Sequence, residues 1–447
     1  MRCPLAKSFP ASLACSLRYH EKMLRNRKNS TMPNPVDRRT TLAALSALVA
    51  GLTHGAYTAR EDSRAEKSLQ NFLDTWVVNE KIPGLSLAVA RDGRLAHAVA
   101  AGVADPATGE KLTPTHLFRV ASVSKPLTGL VVARLIERGL LKADAPVHAL
   151  LGLPKPRDER WTQVTVEQLL RHTGGWDRDK SFDPMFRSVT ICAEARTDGP
   201  ARPDQVIAYM LRKPLDFQPG SRFAYSNFGY CLLGRLIGKV TGLSYEQATR
   251  QEVLTPLGIS RMRLGRTLRE KKAPAEVVYS DTRGRRGNSV MGMAGQVDEP
   301  YGCWCLETMD AHGGWLATPA DLVRWGVALD ESARPALLKP ATIQRIWSRP
   351  PGDNPKESTW YGWGWQVRQT APGKLNAWHN GSLPGTASLL VRRHDGLVWA
   401  LAANTNANPA GKPLSGVLDG LIHRAVNSAL PLDGHDLFPK MGLKTAR

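Results

Sequence analysis

Ser122-Val123-Ser124-Lys125 sets a hydroxyl and an amine three residues apart, and far downstream Tyr225-Ser226-Asn227 supplies a phenol and an amide. A serine hydroxyl is a weak nucleophile that needs a base, and a lysine can be that base only where part of it is neutral near pH 7. Burial and the positive end of a helix both push an amine that way. A tyrosine beside such a pair can carry a proton between the serine and a leaving group. An asparagine amide can orient the lysine as well as a substrate amide or carbonyl. The chemistry these residue types permit is acyl transfer through a covalent serine ester.

A Ser-x-x-Lys arises by chance about once or twice in a chain of this length, so the elements around it decide. After Ser122 the apolar residues Leu127, Leu130, Val131 and Leu135 recur at helical spacing, with Gly139 as a stop near Leu140. The spacing predicts a helix starting at Ser122, with Lys125 about one turn on and both side chains on one face. Pro126 is tolerated in a first turn, where its missing N–H would be unpaired anyway. The alternative is an exposed Ser and Lys at an ordinary helix start. Pro219-Gly220 signals a turn, and Phe228 to Val240 reads as a buried helix stopped near Gly242, which leaves Tyr225 in the loop between them. There the alternative is a packed tyrosine with Asn227 capping the helix.

A third group should close the pocket from the other side, and three His-x-Gly stretches compete for that place. His172-Thr173-Gly174 ends a short helix opened by Thr165 with Gln168 three residues on. His312-Gly313-Gly314 precedes Thr318-Pro319-Ala320-Asp321, a capping box with proline in the first turn, and reads as a loop entering a helix. His379-Asn380-Gly381 lies between two strand-like runs, Lys374 to Trp378 and Thr386 to Arg393. His379 is the candidate.

Together these residues resemble the β-lactamase and penicillin-binding-protein superfamily, in the branch of class C β-lactamases, D-aminopeptidases, DD-carboxypeptidases and family VIII esterases. The resemblance runs from roughly Ser68 to Ser428. It includes Pro83-Gly84-Leu85-Ser86-Leu87-Ala88-Val89-Ala90 as a first core strand and Phe118-Arg119-Val120-Ala121 as the approach to the nucleophile. Leu169-Leu170-Arg171-His172-Thr173-Gly174-Gly175, Gly313-Gly314-Trp315-Leu316-Ala317-Thr318 and Tyr361-Gly362-Trp363-Gly364-Trp365 are similar to later landmarks. The resemblance implies an α+β, β-lactamase/transpeptidase-like fold: a central antiparallel sheet flanked by helices, plus a largely helical insertion. It implies Ser122 as nucleophile, Lys125 as base and Tyr225 in the proton relay. Asn227, His379, Asn380 and Gly381 would lie against the substrate, and the backbone N–H groups of Ser122 and Ser382 would form the oxyanion hole. No cofactor is implied.

Where the β-lactamases of this branch usually carry Lys-Thr-Gly, this chain has His379-Asn380-Gly381. Histidine is mostly neutral at pH 7 and asparagine replaces a hydroxyl by an amide, so efficient turnover of carboxylate-bearing β-lactams is not expected. Trp176, Trp304, Trp315, Trp360, Trp363, Trp365 and Trp378 crowd the landmark segments. An aromatic wall built from them would suit an acyl or aryl group, which favours esters; the alternative is that they are core. Peptide hydrolysis at D-amino acids and weak β-lactam opening are the rival reactions. A catalytically silent binder of cell-wall fragments and a self-assembling structural relative are the non-enzyme ones.

With 447 residues and 42% hydrophobic content the chain can bury a large core. Residues 61–447 are expected to form one domain assembled from both ends, with a hairpin around Arg91-Asp92-Gly93, returning strands from Tyr361 to Asn404 and a last helix near Leu414 to Ser428. Residues 111–354 would be its helical region. Residues 1–60 read as a leader: Arg38-Arg39 directly precedes the apolar run Leu42 to Leu52, too short to span a bilayer, which implies twin-arginine export to the periplasm without a stable membrane anchor. Met32 opens a more typical signal region, and a disordered basic leader is the alternative.

The leader supplies +8 of the formal net charge of +20. The remainder includes a basic stretch, Arg261, Arg263, Arg266, Arg269, Lys271, Lys272, Arg283, Arg285 and Arg286, which would suit anionic envelope polymers or be simply solvated. No nucleic-acid-binding motif accompanies it. The implied partner is a small-molecule or peptide substrate, cell-wall material included. Cys3 and Cys15 fall in the leader, Cys231 reads as a small core residue, and Cys303 or Cys305 could bond Cys192 in an oxidising compartment. No His-Glu-x-x-His and no paired Cys-x-x-Cys sets suggest a metal.

Overall fold

The computed structural model describes residues 67–330, 336–428 and 436–444. The leader with Arg38 and Arg39, and Cys3 and Cys15, lie outside the described residues.

Asp92 and Gly93 both take positive φ, 48° and 79°, the conformation a tight two-residue hairpin turn demands. They join β1 (Gly84–Arg91) to β2 (Arg94–Asp105), and β3 (Glu110–Lys111) extends the meander. The chain returns to this sheet as β4 (Thr359–Tyr361), β5 (Gln366–Ala371), β6 (Lys374–Leu383), β7 (Thr386–Arg392) and β8 (Leu397–Ala403). The eight strands lie in the order β3-β2-β1-β8-β7-β6-β5-β4, every neighbouring pair antiparallel. The first and last long strands thus meet in the middle, Leu85 opposite Ala403, so the sheet closes only when both ends of the chain are in place.

Both faces of the central strands are covered, which is why β1 and β8 read as nearly unbroken apolar runs. One face carries Leu85, Leu87, Val89, Leu389, Val391 and Trp399. It packs against α1 (residues 67–80) through Leu69, Leu73 and Trp76 and against a C-terminal helix through Leu418 and Ile422. The other face, with Ala88, Ala90, Leu390 and Val398, belongs to a second and larger core. That core includes α2 (Ser124–Glu137), α3 (Asn227–Thr241) and α4 (Pro319–Val327). The C-terminal helix is α5 (Leu414–Ser428).

Three points that the sequence leaves open are resolved. Trp176, Trp304, Trp315, Trp360, Trp363 and Trp365 are all buried in the larger core, and Trp378 points to the α5 side of the sheet. The tryptophans are packing and do not line a wall over the nucleophile; indoles this large fill the wide gap between sheet and helices. Four of the nine residues of the basic stretch are ion-paired: Arg269 with Asp105 at 3.7 Å, Arg283 with Asp281 at 3.8 Å, Arg285 with Asp281 at 2.6 Å and Arg286 with Asp298 at 3.2 Å. Finally, Cys192, Cys231, Cys303 and Cys305 are free thiols, without the Cys192 bridge.

Candidate active site

Ser122 sits in a single 3-10 turn, Ala121–Val123, and α2 begins two residues later than the spacing suggests, at Ser124. Ala121 takes φ 46°, an uncommon value for a residue with a Cβ and one that stores strain immediately before the nucleophile. The turn is pinned from several directions. Val120 N–H donates to the Trp315 carbonyl at 2.9 Å, and its carbonyl accepts from the Ser388 hydroxyl at 2.7 Å. One residue earlier, the buried Arg119 guanidinium donates to the Pro300 carbonyl at 2.7 Å and pairs with Glu276 at 3.6 Å.

Lys125 is fully buried on the first turn of α2. Its Nζ lies 3.1 Å from Ser122 Oγ, 2.7 Å from Asn227 Oδ1 and 3.2 Å from the carbonyl oxygen of His312. Two of these partners can only accept. A neutral amine has two N–H bonds and one lone pair; with the N–H bonds on Asn227 and His312, the lone pair is left facing the serine hydroxyl. Burial pushes the Lys125 amine well below its usual value; the Asp183 carboxylate opposes this and the Arg178 guanidinium adds to it. The His312 carbonyl is held by the same helix: one turn after Ser124, Thr128 Oγ1 donates to the adjoining Ala311 carbonyl at 2.6 Å. His312 itself belongs to a short helix, Asp310–Gly313, ahead of the strand Trp315–Ala317, instead of a loop; the Thr318–Asp321 capping box follows that strand.

Tyr225 stands over the amine, its ring centroid 4.7 Å from Nζ. Burial holds the phenol above its usual range, so it is protonated at neutral pH. The exposed Arg178 guanidinium also lies 4.6 Å from the ring centroid. Ser226 caps α3 by accepting from Gly229 N–H. Asn227 is thereby freed from capping and takes the first helical position, with Oδ1 on Lys125 and Nδ2 donating to Asp183 Oδ2 at 2.6 Å. Both ends of its amide are occupied by the protein.

His379 lies within β6, which continues unbroken to Leu383 instead of stopping before it. Its buried ring bridges the Tyr361 hydroxyl at Nε2, 3.0 Å, and the Asn380 carbonyl at Nδ1, 2.7 Å. Since a carbonyl only accepts, Nδ1 carries the proton and Nε2 accepts from the tyrosine. Burial, reinforced by Lys125, pushes the imidazole down to about 3, so it stays neutral. Gly381 is the point where β6 passes the nucleophile turn: a Cβ there would lie 2.3 Å from the Val120 oxygen and 2.3 Å from Ser388 Oγ. Strand alternation sends Asn380 to the other face, where it lines a cleft of about 310 Å³ with Trp378, Asp419 and His423. Asn380 therefore does not share the serine's side of the sheet, contrary to its expected place. The two-residue turn after Leu383, which pairs with Thr386, directs the Ser382 N–H out of the β6 edge that β7 does not cover. β5 pairs with β6 only as far as Trp378, so that edge is open at Ser382.

Several participants carry no sequence signal of their role. His172, read as a helix stop, takes φ 57° after the short helix and is also a neutral core of aromatic contacts. Tyr225 and Tyr361 lie 4.4 and 4.5 Å from it, centroid to centroid, and its Nδ1 accepts from Ser226 N–H. Asp183, visible in sequence only as an aspartate before a proline at a turn, and Arg178 come from the loop after Trp176. Beyond Tyr361 and the exposed Phe223 opens a pocket of about 520 Å³, walled also by Pro350, Pro351 and Trp360. A larger cavity of about 710 Å³, around Asp330, Trp347 and Arg392, contains none of the serine-site residues. Among the described residues no cluster of histidine, cysteine and carboxylate side chains could hold a metal.

Comparison with known proteins fits this geometry. The chain is 31% identical over 276 residues to penicillin-binding protein 4 of Amycolatopsis lactamdurans, covering 60% of this chain and 64% of that protein. It is 32% identical over 228 residues to esterase EstB of Burkholderia gladioli, covering 49% and 54%. The matched region thus spans about half to two thirds of the length of these relatives. The fold is similar to that of the D-amino acid amidase from Ochrobactrum anthropi SV3, with a TM-score of 0.63 at 24% identity over 82% of this chain and 99% of that one. The family model described as beta-lactamase matches residues 43–420, and the chain belongs to that family of serine hydrolases.

Proposed function

We propose that this protein hydrolyses carboxylic esters through an acyl-enzyme on Ser122. The observation that carries the reading is the set of three contacts on Lys125 Nζ, which suits a neutral amine poised on the Ser122 hydroxyl. Ser122 Oγ transfers its proton to Nζ and attacks the ester carbonyl carbon. The oxygen that gains the charge lies between the N–H groups of Ser122 and Ser382, donors of the kind whose removal costs about two to three powers of ten in rate. Tyr225 gives its proton to the departing alkoxide and is reprotonated from the Lys125 ammonium. Water then attacks the acyl carbon and loses its proton to the same relay, and Ser122 Oγ regains its own.

The ester preference rests on His379. A substrate carboxylate at that strand would meet a neutral, buried imidazole already bound to Tyr361, with no cation at the position. Beside Tyr361, the pocket walled by Phe223, Pro350 and Pro351, with Arg171, Arg222 and Asp353 also on its lining, offers apolar surface for an acyl or alcohol group. One feature favours D-amino-acid peptide hydrolysis as a second reading: Arg178, an exposed cation over the Tyr225 ring, offers a charge for a peptide carboxylate. Export by the twin-arginine route is part of the proposal and rests on Arg38 and Arg39 alone.

Intact-mass spectrometry after brief exposure to a short-chain activated ester and, separately, to a penicillin tests the reading, with Ser122→Ala as control. A Ser122-dependent acyl adduct from the ester, with little from penicillin, is expected. Ester turnover that survives in Ser122→Ala or Lys125→Ala would sink it.

A further inference from the structure

Asn227 ends in a group with an acceptor on one side and two donors on the other, and half a turn about its last bond exchanges them. Only one orientation serves the base. With Oδ1 toward Lys125 the amide absorbs one of the amine's N–H bonds; with its NH2 there, it would compete for the lone pair that must remove the serine proton. Lys125 does not enforce the choice, because an amine can donate or accept. The carboxylate behind the amide can only accept. Asp183 Oδ2 lies 2.6 Å from Asn227 Nδ2, and it admits the donor end alone.

Asp183 is itself held in place. It caps the 3-10 turn Pro184–Phe186, with Oδ1 accepting from Met185 N–H at 3.1 Å, so one oxygen is tied to backbone and the other faces the amide. The proline that follows suits the first position of that turn and stiffens the cap. The half-buried carboxylate is also the anion closest to the base's surroundings. The groups facing Lys125 from the packed elements are Tyr225 and Tyr230, His312, His172, His379, Arg178 and Asp183. Of these Asp183 is the one carboxylic acid; burial raises its proton affinity, the Asn227 amide, the Met185 N–H and the Arg178 and Lys125 charges lower it, and its charge opposes the loss of the Lys125 proton that burial drives.

From these contacts we propose that Asp183 is a positioning residue for the catalytic base: through Asn227 it fixes the amide so that Oδ1 meets Lys125, leaving the amine's free pair to Ser122. This deepens the acyl-enzyme reading and rests on it. Asp183 touches neither substrate nor serine, and it acts by deciding which hydrogen bonds the lysine makes.

The test uses the full chain with a short-chain activated ester, comparing Asp183→Asn and Asp183→Glu with the parent. Asparagine keeps the shape and lets Asn227 turn either way. It should lower kcat by about ten- to a hundredfold, the range typical of outer hydrogen-bond partners that orient reacting groups, with KM little changed. It should also move the acid limb of kcat/KM to lower pH, since the charge that favours the Lys125 ammonium is gone. Glutamate restores an acceptor-only group and should recover part of kcat and return the limb toward its parent position. A parent-like kcat and limb in Asp183→Asn would overturn the proposal, and so would an equal loss in both variants with an unmoved limb, which would mark a folding role. Either result with the Ser122 adduct intact would remove Asp183 alone, whereas survival of turnover in Ser122→Ala would remove the reading beneath it.

Discussion

Gly381 on β6 and Val120 before the nucleophile come so close that a Cβ on the glycine would lie 2.3 Å from the Val120 carbonyl oxygen. That approach keeps the edge of β6 and the Ser122 turn at a separation where a carbonyl group could lie between two backbone N–H donors. Gly381→Ala must push them apart or displace Ser388, whose hydroxyl holds the same oxygen. The expected cost is about 1–3 kcal/mol of stability, as for other overpacked sites. Activity should fall further than stability does, by about a hundredfold or more, because the donors are separated. Thermal denaturation and ester kinetics on the same preparation check both.

Lys125 links the reaction to pH-dependent stability. Its amine is held below the ordinary 10.5 in the folded protein. Between those two values the unfolded chain binds a proton that the folded chain does not. The contribution of Lys125 is therefore complete above about 10.5 and lost as pH falls toward the lowered folded value, by up to about 1.4 kcal/mol per pH unit. In Lys125→Met that dependence disappears. The Tm difference between variant and parent should shift toward the variant as pH is lowered from 10 to 7, whatever its sign at pH 10. A constant difference would show that the lysine keeps an ordinary affinity for protons.

His379→Lys tests whether the missing cation limits acylation by carboxylate-bearing compounds. A charge-assisted hydrogen bond to the drug's carboxylate is worth about 1.5–3 kcal/mol, so the penicillin acylation rate should rise about tenfold or more while ester turnover does not. No gain would place penicillin discrimination elsewhere in the cleft.

Arg119 is fully buried, with Glu276 at 3.6 Å, the Tyr279 ring 4.4 Å from its guanidinium carbon and three backbone carbonyls as acceptors. Arg119→Leu leaves Glu276 buried without its counter-charge, at a cost of about 3–5 kcal/mol. Chemical denaturation should show that loss, and Arg119→Leu paired with Glu276→Gln should recover part of it.

Much of this site was legible in the chain because its positions obey local rules. Apolar periodicity after Ser122 marked α2, Asp92-Gly93 marked the first hairpin, and Pro219-Gly220 placed Tyr225 in a loop. The capping boxes at Thr165 and Thr318 are present as their spacing implies. What escaped were contacts that no local pattern encodes. The third acceptor on Lys125 is a carbonyl, and every residue has one, so His312 was visible only as a motif that did not fit. Asp183 has a readable duty as a cap, which conceals the other oxygen. Asn380 sits inside the His379-Asn380-Gly381 motif yet faces away from the serine, because strand alternation sends neighbouring side chains to opposite faces. The tryptophans cluster near the landmarks because those segments pack the core between sheet and helices.

The middle of the sheet, where β1 meets β8, joins the two ends of the described chain, and the amine's acceptors come from residues 227 and 312. Until those distant pieces dock, Lys125 is an ordinary surface lysine, almost wholly protonated in neutral water, and Ser122 is an ordinary alcohol. Reactivity in this protein is thus a property of the finished tertiary structure, absent from any fragment or half-folded intermediate. A newly made chain therefore has no activated serine until the segments around residues 227 and 312 have packed against α2.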